Sequence, residues 1–161
     1  MSASENTLIP PELDAEFEEL AARYPQKRAA LLPILHRMQE VHGWISPEVM
    51  EAVAGWIGLA PVEVEGVVSF YPMFRRRPAG RHLVSVCKNI SCHLCGAEDV
   101  LAAIEKRFGL KPGETSADGR ITLQAVQCLG ACGYGPMMDV DGTYHEHLTP
   151  DSAVEILEEL P

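Results

Sequence analysis

Two tight pairs of cysteines constrain this chain more than any other feature. Four of the five cysteines form the spacings C-x4-C, at Cys87 and Cys92, and C-x3-C, at Cys128 and Cys132. Each pair directly follows an apolar run typical of a buried strand, and a helical pattern comes after the first pair. A fold that ends these two strands side by side would aim all four thiols at one place.

Composition predicts a globular protein of one ordinary domain, or of a helical portion followed by a small core domain. The chain has 161 residues, of which 47% are hydrophobic and 22% charged. Its net charge of −10 argues against nucleic-acid binding, which requires a basic face. No apolar run approaches the roughly 20 residues that span a bilayer, and the first residues lack the basic start and apolar stretch of a signal peptide. We therefore expect a cytoplasmic protein without direct membrane insertion, in which clustered cysteines indicate metal or redox chemistry rather than disulfides.

The first half of the chain reads as helical. Residues 1–10 are predicted to be a flexible tail, and residues 11–78 a helical domain of four short helices that share a core. The first helical pattern extends from Leu13 to Tyr24, and Pro25 closes it. Proline, glycine or serine residues mark the starts and ends of the other three predicted helices.

The sequence pattern of residues 79–161 predicts a strand, a helix, a second strand, a hairpin and a final helix, in that order. One strand enters Cys87, the other enters Cys128, and Asp141-Gly142 is a strong hairpin signal. A strand–helix–strand unit makes its strands parallel with a right-handed crossover. Both cysteine pairs then lie beyond the carboxyl ends of adjacent strands, where open sheets usually place ligands. The predicted fold class is α+β, a helical bundle followed by an α/β domain.

Four interpretations of the cysteines compete. A [2Fe–2S] cluster needs four thiolates, two per iron, and pairs in irregular loops supply them; glycines at 130, 133 and 135 would let the backbone bend around inorganic sulfur and donate N–H groups to it. A structural zinc ion also accepts four cysteines but prefers knuckles on β-turns. A redox disulfide is suggested by the C-x-x-C of Cys92 and Cys95. Buried, inert cysteines are disfavoured because four of the five are clustered.

Cys95 creates a further ambiguity. With Cys87 and Cys92 it reproduces the C-x4-C-x2-C spacing of plant-type ferredoxins, which would leave Cys128 or Cys132 spare. The residues right after Cys95 have a strongly helical pattern, and this interpretation would leave either Cys128 or Cys132 without a role. We therefore expect Cys95 to be a small apolar residue at the start of a helix, outside the site.

Two segments carry a resemblance to a known family. Cys-Lys-Asn-Ile-Ser-Cys-His, from Cys87, and Gln-Cys-Leu-Gly-Ala-Cys-Gly-Tyr-Gly-Pro-Met-Met, from Gln127, resemble the thioredoxin-like [2Fe–2S] ferredoxin subunits of bacterial NADH:quinone oxidoreductase, respiratory complex I. Related subunits occur in NAD-dependent formate dehydrogenases and NAD(P)-linked hydrogenases. The likeness covers nearly the whole chain and includes residues 43–45, 64–71, 111–114 and 147–150.

The resemblance implies a thioredoxin-like fold for residues 79–161 and a cluster held by Cys87, Cys92, Cys128 and Cys132. It also implies one-electron transfer with a partner flavoprotein subunit that binds FMN and NADH, next to further iron–sulfur subunits, on the cytoplasmic side of the inner membrane. The chain itself has no Rossmann glycine pattern and no P-loop, and we assign no catalytic acid, base or nucleophile. Two functions of other classes stay open, a zinc-stabilised interaction module and a thioredoxin-like oxidoreductase.

Overall fold

The computed structural model describes residues 8–161, whose contacts divide into two compact units at Pro78 and Ala79. Residues 1–7 of the expected flexible tail lie outside this description. Leu8 and Ile9, at the other end of that tail, pack against the apolar core of the first unit. The Leu8 carbonyl oxygen also lies 3.0 Å from His42 Nε2, so the chain is anchored from Leu8 onward.

The first unit contains the four predicted α-helices. Three of them begin with a proline in the first turn, where the missing N–H leaves no hydrogen bond unmade. Gly43 and Gly58 adopt left-handed backbone conformations that end the second and third helices. The bounds are α1, Pro11–Ala21; α2, Leu31–His42, after a 3-10 turn at Lys27–Ala30; α3, Pro47–Ile57; and α4, Pro61–Phe70.

The end of α1 differs from the expectation. The helix stops at Ala21 instead of continuing to Tyr24, which is exposed. Tyr24 precedes Pro25, and a residue before proline avoids helical dihedral angles. The last turn accordingly tightens, with Tyr24 N donating to the Ala21 carbonyl at 3.1 Å.

The core of the first unit is formed by one face of each helix. Fully buried side chains of this core include Phe17, Ile34, Leu35, Met38, Val53 and Val64.

No single helix within residues 8–161 is long and apolar enough to cross a membrane. Taken together, α3 and α4 have the length and composition of a membrane span, but they are bent by 120° at the break between them.

The second unit, Ala79–Pro161, is a mixed four-stranded sheet with helices. Its strands follow the order β2-β1-β3-β4, with β1 parallel to β2 and antiparallel to β3, and with β3 antiparallel to β4. The parallel pairing predicted from the strand–helix–strand order is confirmed. The bounds are β1, His82–Cys87; α5, Ile90–Leu94; α6, Ala97–Phe108; β2, Ile121–Val126; β3, Met138–Val140; β4, Thr143–His145; and α7, Pro150–Glu158.

Alternate residues of β1, β2 and β3 form one apolar face that packs against α6 and α7, because side chains along a strand point to opposite faces in turn. The register places Cys87 opposite Val126, so β1 and β2 end at the same edge of the sheet. Cys128 follows shortly after Val126. The two cysteine pairs therefore leave adjacent strands at one edge. The buried side chains of this core are Val84, Val86, Val100, Ile104, Leu110, Ile121, Leu123, Met138, Val140, Leu148, Ala153 and Leu157.

The predicted hairpin is confirmed between β3 and β4. Asp141 and Gly142 both have positive φ, 52° and 88°, as a two-residue turn of the primed kind requires. The Asp141 carboxylate accepts a hydrogen bond from Leu83 N at 2.8 Å, which ties the turn to the start of β1. This fixes the position of β4 relative to the centre of the sheet.

Candidate metal centre

The first cysteine pair is part of the folded core. Cys87 is the last residue of β1, and Cys92 lies in α5, whose first turn is capped by the Asn89 side chain. Only 3% of Cys87 and 2% of Cys92 is exposed, and both pack with Ala97 and Met137. We expected both pairs in irregular loops, which is wrong here because Cys92 is carried by a short helix.

Burial raises the pKa of the Cys92 thiol to about 11, and a hydrogen bond with Cys87 acts in the same direction. The negative charges that Cys87 and Cys132 would carry raise this pKa further, the one on Cys132 least, and a hydrogen bond with the Met137 backbone lowers it. In the metal-free chain the Cys92 thiol therefore keeps its proton at neutral pH. A metal bound there has to displace that proton.

The second cysteine pair lies at the surface. Cys128 and Cys132 are exposed, and Cys132 begins a 3-10 turn. Gly130 N donates to Cys128 Sγ at 3.3 Å from a left-handed conformation with φ of 82°. The loop is held from outside, because Tyr144 Oη donates to the Leu129 carbonyl oxygen at 2.8 Å.

The two cysteine segments lie against each other. Cys87 Sγ is 4.0 Å from the carbonyl oxygen of Gln127, the residue before Cys128. Gly135, beyond the second pair, passes so close to Cys92 that an added Cβ would lie 3.2 Å from its Sγ and 3.3 Å from its Cα. Only glycine fits at this position without moving Cys92. The Gly135–Pro136 peptide is cis.

The structure thus brings together Cys87 and Cys92, and a negative charge on Cys132 would raise the pKa of the Cys92 thiol. Within residues 8–161, no hydrogen bond joins Cys128 to another thiol, and the Cys128 sulfur accepts a hydrogen bond from Gly130 N. Across residues 8–161, no three His, Cys, Asp or Glu side chains converge closely enough to hold a single metal ion. All five cysteines are free.

Cys95 does not occupy the position expected for it. It is exposed and ends α5, and Gly96, with φ of 100°, separates it from α6. It therefore lies between two helices and not at the start of the long one. A left-handed glycine interrupts what looks like a single helical run in the sequence.

Two residues of the site carry no sequence signal for their role. The hydroxyl of Tyr144 supports the Leu129 carbonyl oxygen, and the Leu129 side chain packs against the buried cysteine pair. Alternation along β4 predicts which face Tyr144 occupies. The loop that its hydroxyl reaches depends on the arrangement of the whole sheet.

The family profile of thioredoxin-like [2Fe–2S] ferredoxins matches residues 17–161, which include both cysteine pairs. The chain belongs to this family. The NADH-quinone oxidoreductase subunit designated E in Escherichia coli (strain K12) is 41% identical to this ferredoxin over 135 residues, covering 84% of the chain and 81% of the relative. The subunit of the same designation in Mycobacterium tuberculosis (strain H37Rv) is 38% identical over 148 residues, covering 92% of the chain. The chain spans only 59% of the length of that mycobacterial relative.

A solved structure shares the fold of this ferredoxin. The NAD+-reducing [NiFe]-hydrogenase in the H2-reduced state aligns with a TM-score of 0.70 over 81% of this chain and 22% of that chain, at 21% identity. At this identity the likeness concerns the fold alone. Together with the family match, it confirms the predicted order of N-terminal helices followed by a thioredoxin-like ferredoxin fold.

Proposed function

We propose that this ferredoxin is the electron-transfer subunit of the NADH-oxidising module of an NADH:quinone oxidoreductase, and that it carries one [2Fe–2S] cluster on Cys87, Cys92, Cys128 and Cys132. The observation that carries the proposal is the placement of two cysteine pairs at the ends of adjacent strands, in a chain of this family. When bound, such a cluster takes up and releases one electron at a time.

The residues present suit a [2Fe–2S] cluster. Four thiols are available as two pairs, and the cluster takes two thiolates on each iron, so it does not need three ligands around one ion. The backbone at Gly135 approaches Cys92 without a side chain between them. Gly130 N already donates to Cys128 Sγ, and N–H groups of this kind stabilise thiolate ligands.

The two pairs would contribute differently to such a site. Cys87 and Cys92 pack with Ala97 and Met137, which excludes water from their side of the site. Cys128 and Cys132 are exposed, which leaves the other side accessible to a partner. We propose that the FMN- and NADH-binding flavoprotein subunit meets this side, and that single electrons pass between its flavin and this chain.

The relatives at 38–41% identity, which carry the name of an NADH-quinone oxidoreductase subunit, support this choice of complex. The proposal includes further iron–sulfur subunits as neighbours, and a peripheral position on the cytoplasmic side of the inner membrane. The corresponding subunit of an NAD(P)-linked hydrogenase or of an NAD-dependent formate dehydrogenase is the second candidate. It is kept because the two cysteine segments also resemble the subunits of those complexes.

The cofactor is tested by purifying the full chain anaerobically and measuring iron, acid-labile sulfide and the EPR spectrum after reduction. We expect about two iron and two sulfide per chain and a reduced [2Fe–2S] signal. A colourless protein with one zinc and no reducible signal would instead identify an interaction module. Disulfide turnover that depends on Cys92 and Cys95 would identify a thioredoxin-like oxidoreductase.

The complex is tested by combining the chain with candidate flavoprotein subunits. We expect NADH to reduce the cluster, and so produce its EPR signal, in the presence of the flavoprotein subunit of the NADH:quinone oxidoreductase from the same cell. Reduction only with a hydrogenase or formate dehydrogenase flavoprotein would select the second candidate. Mixtures without a flavoprotein serve as the control.

A further inference from the structure

One peptide group connects a tyrosine on β4 to a cysteine of the site. The carbonyl oxygen of Leu129 accepts a hydrogen bond from Tyr144 Oη at 2.8 Å. The N–H of the same peptide group belongs to Gly130, and it donates to Cys128 Sγ at 3.3 Å. Tyr144 and the Cys128 sulfur therefore lie at opposite ends of a chain of two hydrogen bonds.

Hydrogen bonds in such a chain strengthen one another. A donor on the carbonyl oxygen polarises the peptide group and makes its N–H a better donor on the other side. It also fixes the plane of the peptide, and with it the direction in which the N–H points. Hydrogen bonds to ligand sulfurs are among the features by which proteins set the reduction potential of iron–sulfur clusters.

The surroundings hold this peptide group in place. Gly130 has φ of 82°, a conformation that glycine adopts without strain, so the chain can turn after this residue while its N–H stays on Cys128 Sγ. The Leu129 side chain packs against the buried cysteine pair, while its carbonyl oxygen faces Tyr144. Tyr144 is paired with Asp139 across the hairpin, and β3 is paired with β1. The sheet that carries Cys87 thus also positions the tyrosine hydroxyl.

We propose that Tyr144 is a positioning residue for the iron–sulfur site. Through the Leu129–Gly130 peptide, Tyr144 acts on the sulfur of Cys128 and raises the reduction potential of the cluster. The sign follows because reduction adds negative charge, and a better N–H donor stabilises that charge on the sulfur. The inference rests on the proposed function, since it requires Cys128 to be a ligand. It adds a residue outside the cysteine segments to the parts that set the potential.

The test replaces the tyrosine by phenylalanine in the full chain and titrates the EPR signal against potential. Tyr144→Phe removes the hydroxyl and keeps a ring that is about half exposed, at 49%. We expect a midpoint potential more negative than that of the unchanged chain, at equal iron and sulfide content. Tyr134→Phe is the matched control. Tyr134 lies two residues after Cys132, in the same 3-10 turn, but its hydroxyl makes no hydrogen bond within the described residues.

A second readout follows the N–H itself. After exchange into D2O, electron-nuclear double resonance of the reduced cluster measures the coupling of exchangeable protons. We expect the strongest such coupling to change in Tyr144→Phe and to stay the same in Tyr134→Phe. Should Tyr144→Phe lose its cluster, hydrogen exchange of the iron-free chain replaces the titration, and faster exchange at Gly130 than in Tyr134→Phe would support the inference.

The failure of the inference differs from the failure of the proposed function. Equal potentials and equal proton couplings in Tyr144→Phe, Tyr134→Phe and the unchanged chain would overturn the role of Tyr144, with the cluster present throughout. Equal exchange at Gly130 in the two iron-free variants would overturn it as well. An unchanged chain that holds no iron and sulfide would overturn the proposed function.

Discussion

The two cysteine pairs of this ferredoxin are held in different ways. Cys87 and Cys92 are buried, and a strand and a short helix carry them. Cys128 and Cys132 are exposed on a segment without long regular structure. One half of the candidate site therefore forms when the core folds, whereas the other half depends on contacts from elsewhere in the unit.

The contacts that hold the second pair come mainly from later in the chain. Tyr144 supports the loop between the two cysteines. His147 N donates to the Tyr134 carbonyl oxygen at 2.9 Å, and Leu148 N donates to the Pro136 carbonyl oxygen at 2.9 Å. The segment between β4 and α7 therefore anchors the chain just beyond Cys132.

The largest effect is expected when either pair loses a cysteine. Cys92→Ala and Cys132→Ala should each abolish the [2Fe–2S] EPR signal, because each iron needs two thiolates and alanine offers no ligand atom. Cys95→Ala is the control and should keep the signal, since Cys95 is exposed between α5 and α6. Loss of the signal in Cys95→Ala but not in Cys132→Ala would make Cys95 a ligand and contradict the proposed set.

The packing around the buried pair should contribute more stability than the packing of the loop. Met137 is fully buried against Cys87 and Cys92, so Met137→Ala should lower the free energy of unfolding of the iron-free chain by about 2–5 kcal/mol. Leu129→Ala should cost less, because Leu129 is only partly buried. Equal losses in the two variants would contradict the difference between the halves.

Urea unfolding followed by far-UV circular dichroism measures these losses. Both tryptophans, Trp44 and Trp56, lie in the unit that ends at Pro78. The urea transition followed by tryptophan fluorescence therefore reports the unfolding of that unit alone. This transition should be the same in Met137→Ala, Leu129→Ala and the unchanged chain if the two substitutions destabilise only the second unit.

The contact between the halves is tested at Gly135. Gly135→Ala places a methyl group against Cys92 Sγ and Cα, so it should destabilise the iron-free chain by about 1–3 kcal/mol and lower the cluster content. Gly133→Ala is a matched control, because an added Cβ there meets no atom within 4 Å. Similar stability in both variants would mean that the two segments separate at little cost.

The smallest expected effect is a difference in thiol labelling in the iron-free chain. A thiol reagent should modify Cys128 and Cys132 at least about tenfold faster than Cys87 and Cys92, which corresponds to a local opening free energy of about 1.4 kcal/mol for the buried pair. Mass spectrometry of peptides after timed quenching measures the four rates. Comparable rates would show that the first pair is not held by the core without iron.

Much of the architecture was predictable because local signals and the fold agree. Asp141-Gly142 predicted its hairpin, since both residues take the positive φ that the turn requires. The order of strands and helices predicted the parallel pairing that places Cys87 opposite Val126. The apolar run that ends at Cys87 predicted a buried strand, and β1 is buried along most of its length.

Other features depended on information that the local sequence does not contain. The five-residue helix α5 is too short to produce a helical period, so the segment that carries Cys92 looked irregular. Gly96 separates α5 from α6 through a single left-handed residue, and this moved Cys95 out of its expected position. The bond from Tyr144 to Leu129 needs the register of the complete sheet. The ligand set and the partner remain predictions.

The strand order also bears on when iron can enter the protein. β1 is the first strand of the sheet to be synthesised, yet it lies between β2 and β3, which are made later. Until both have left the ribosome, the backbone edges of β1 are unpaired and Met137 is not there to cover Cys87 and Cys92. We therefore expect a nascent chain that lacks β3 to have no completed site, and the loading of a cluster, if this chain carries one, to follow translation of β3.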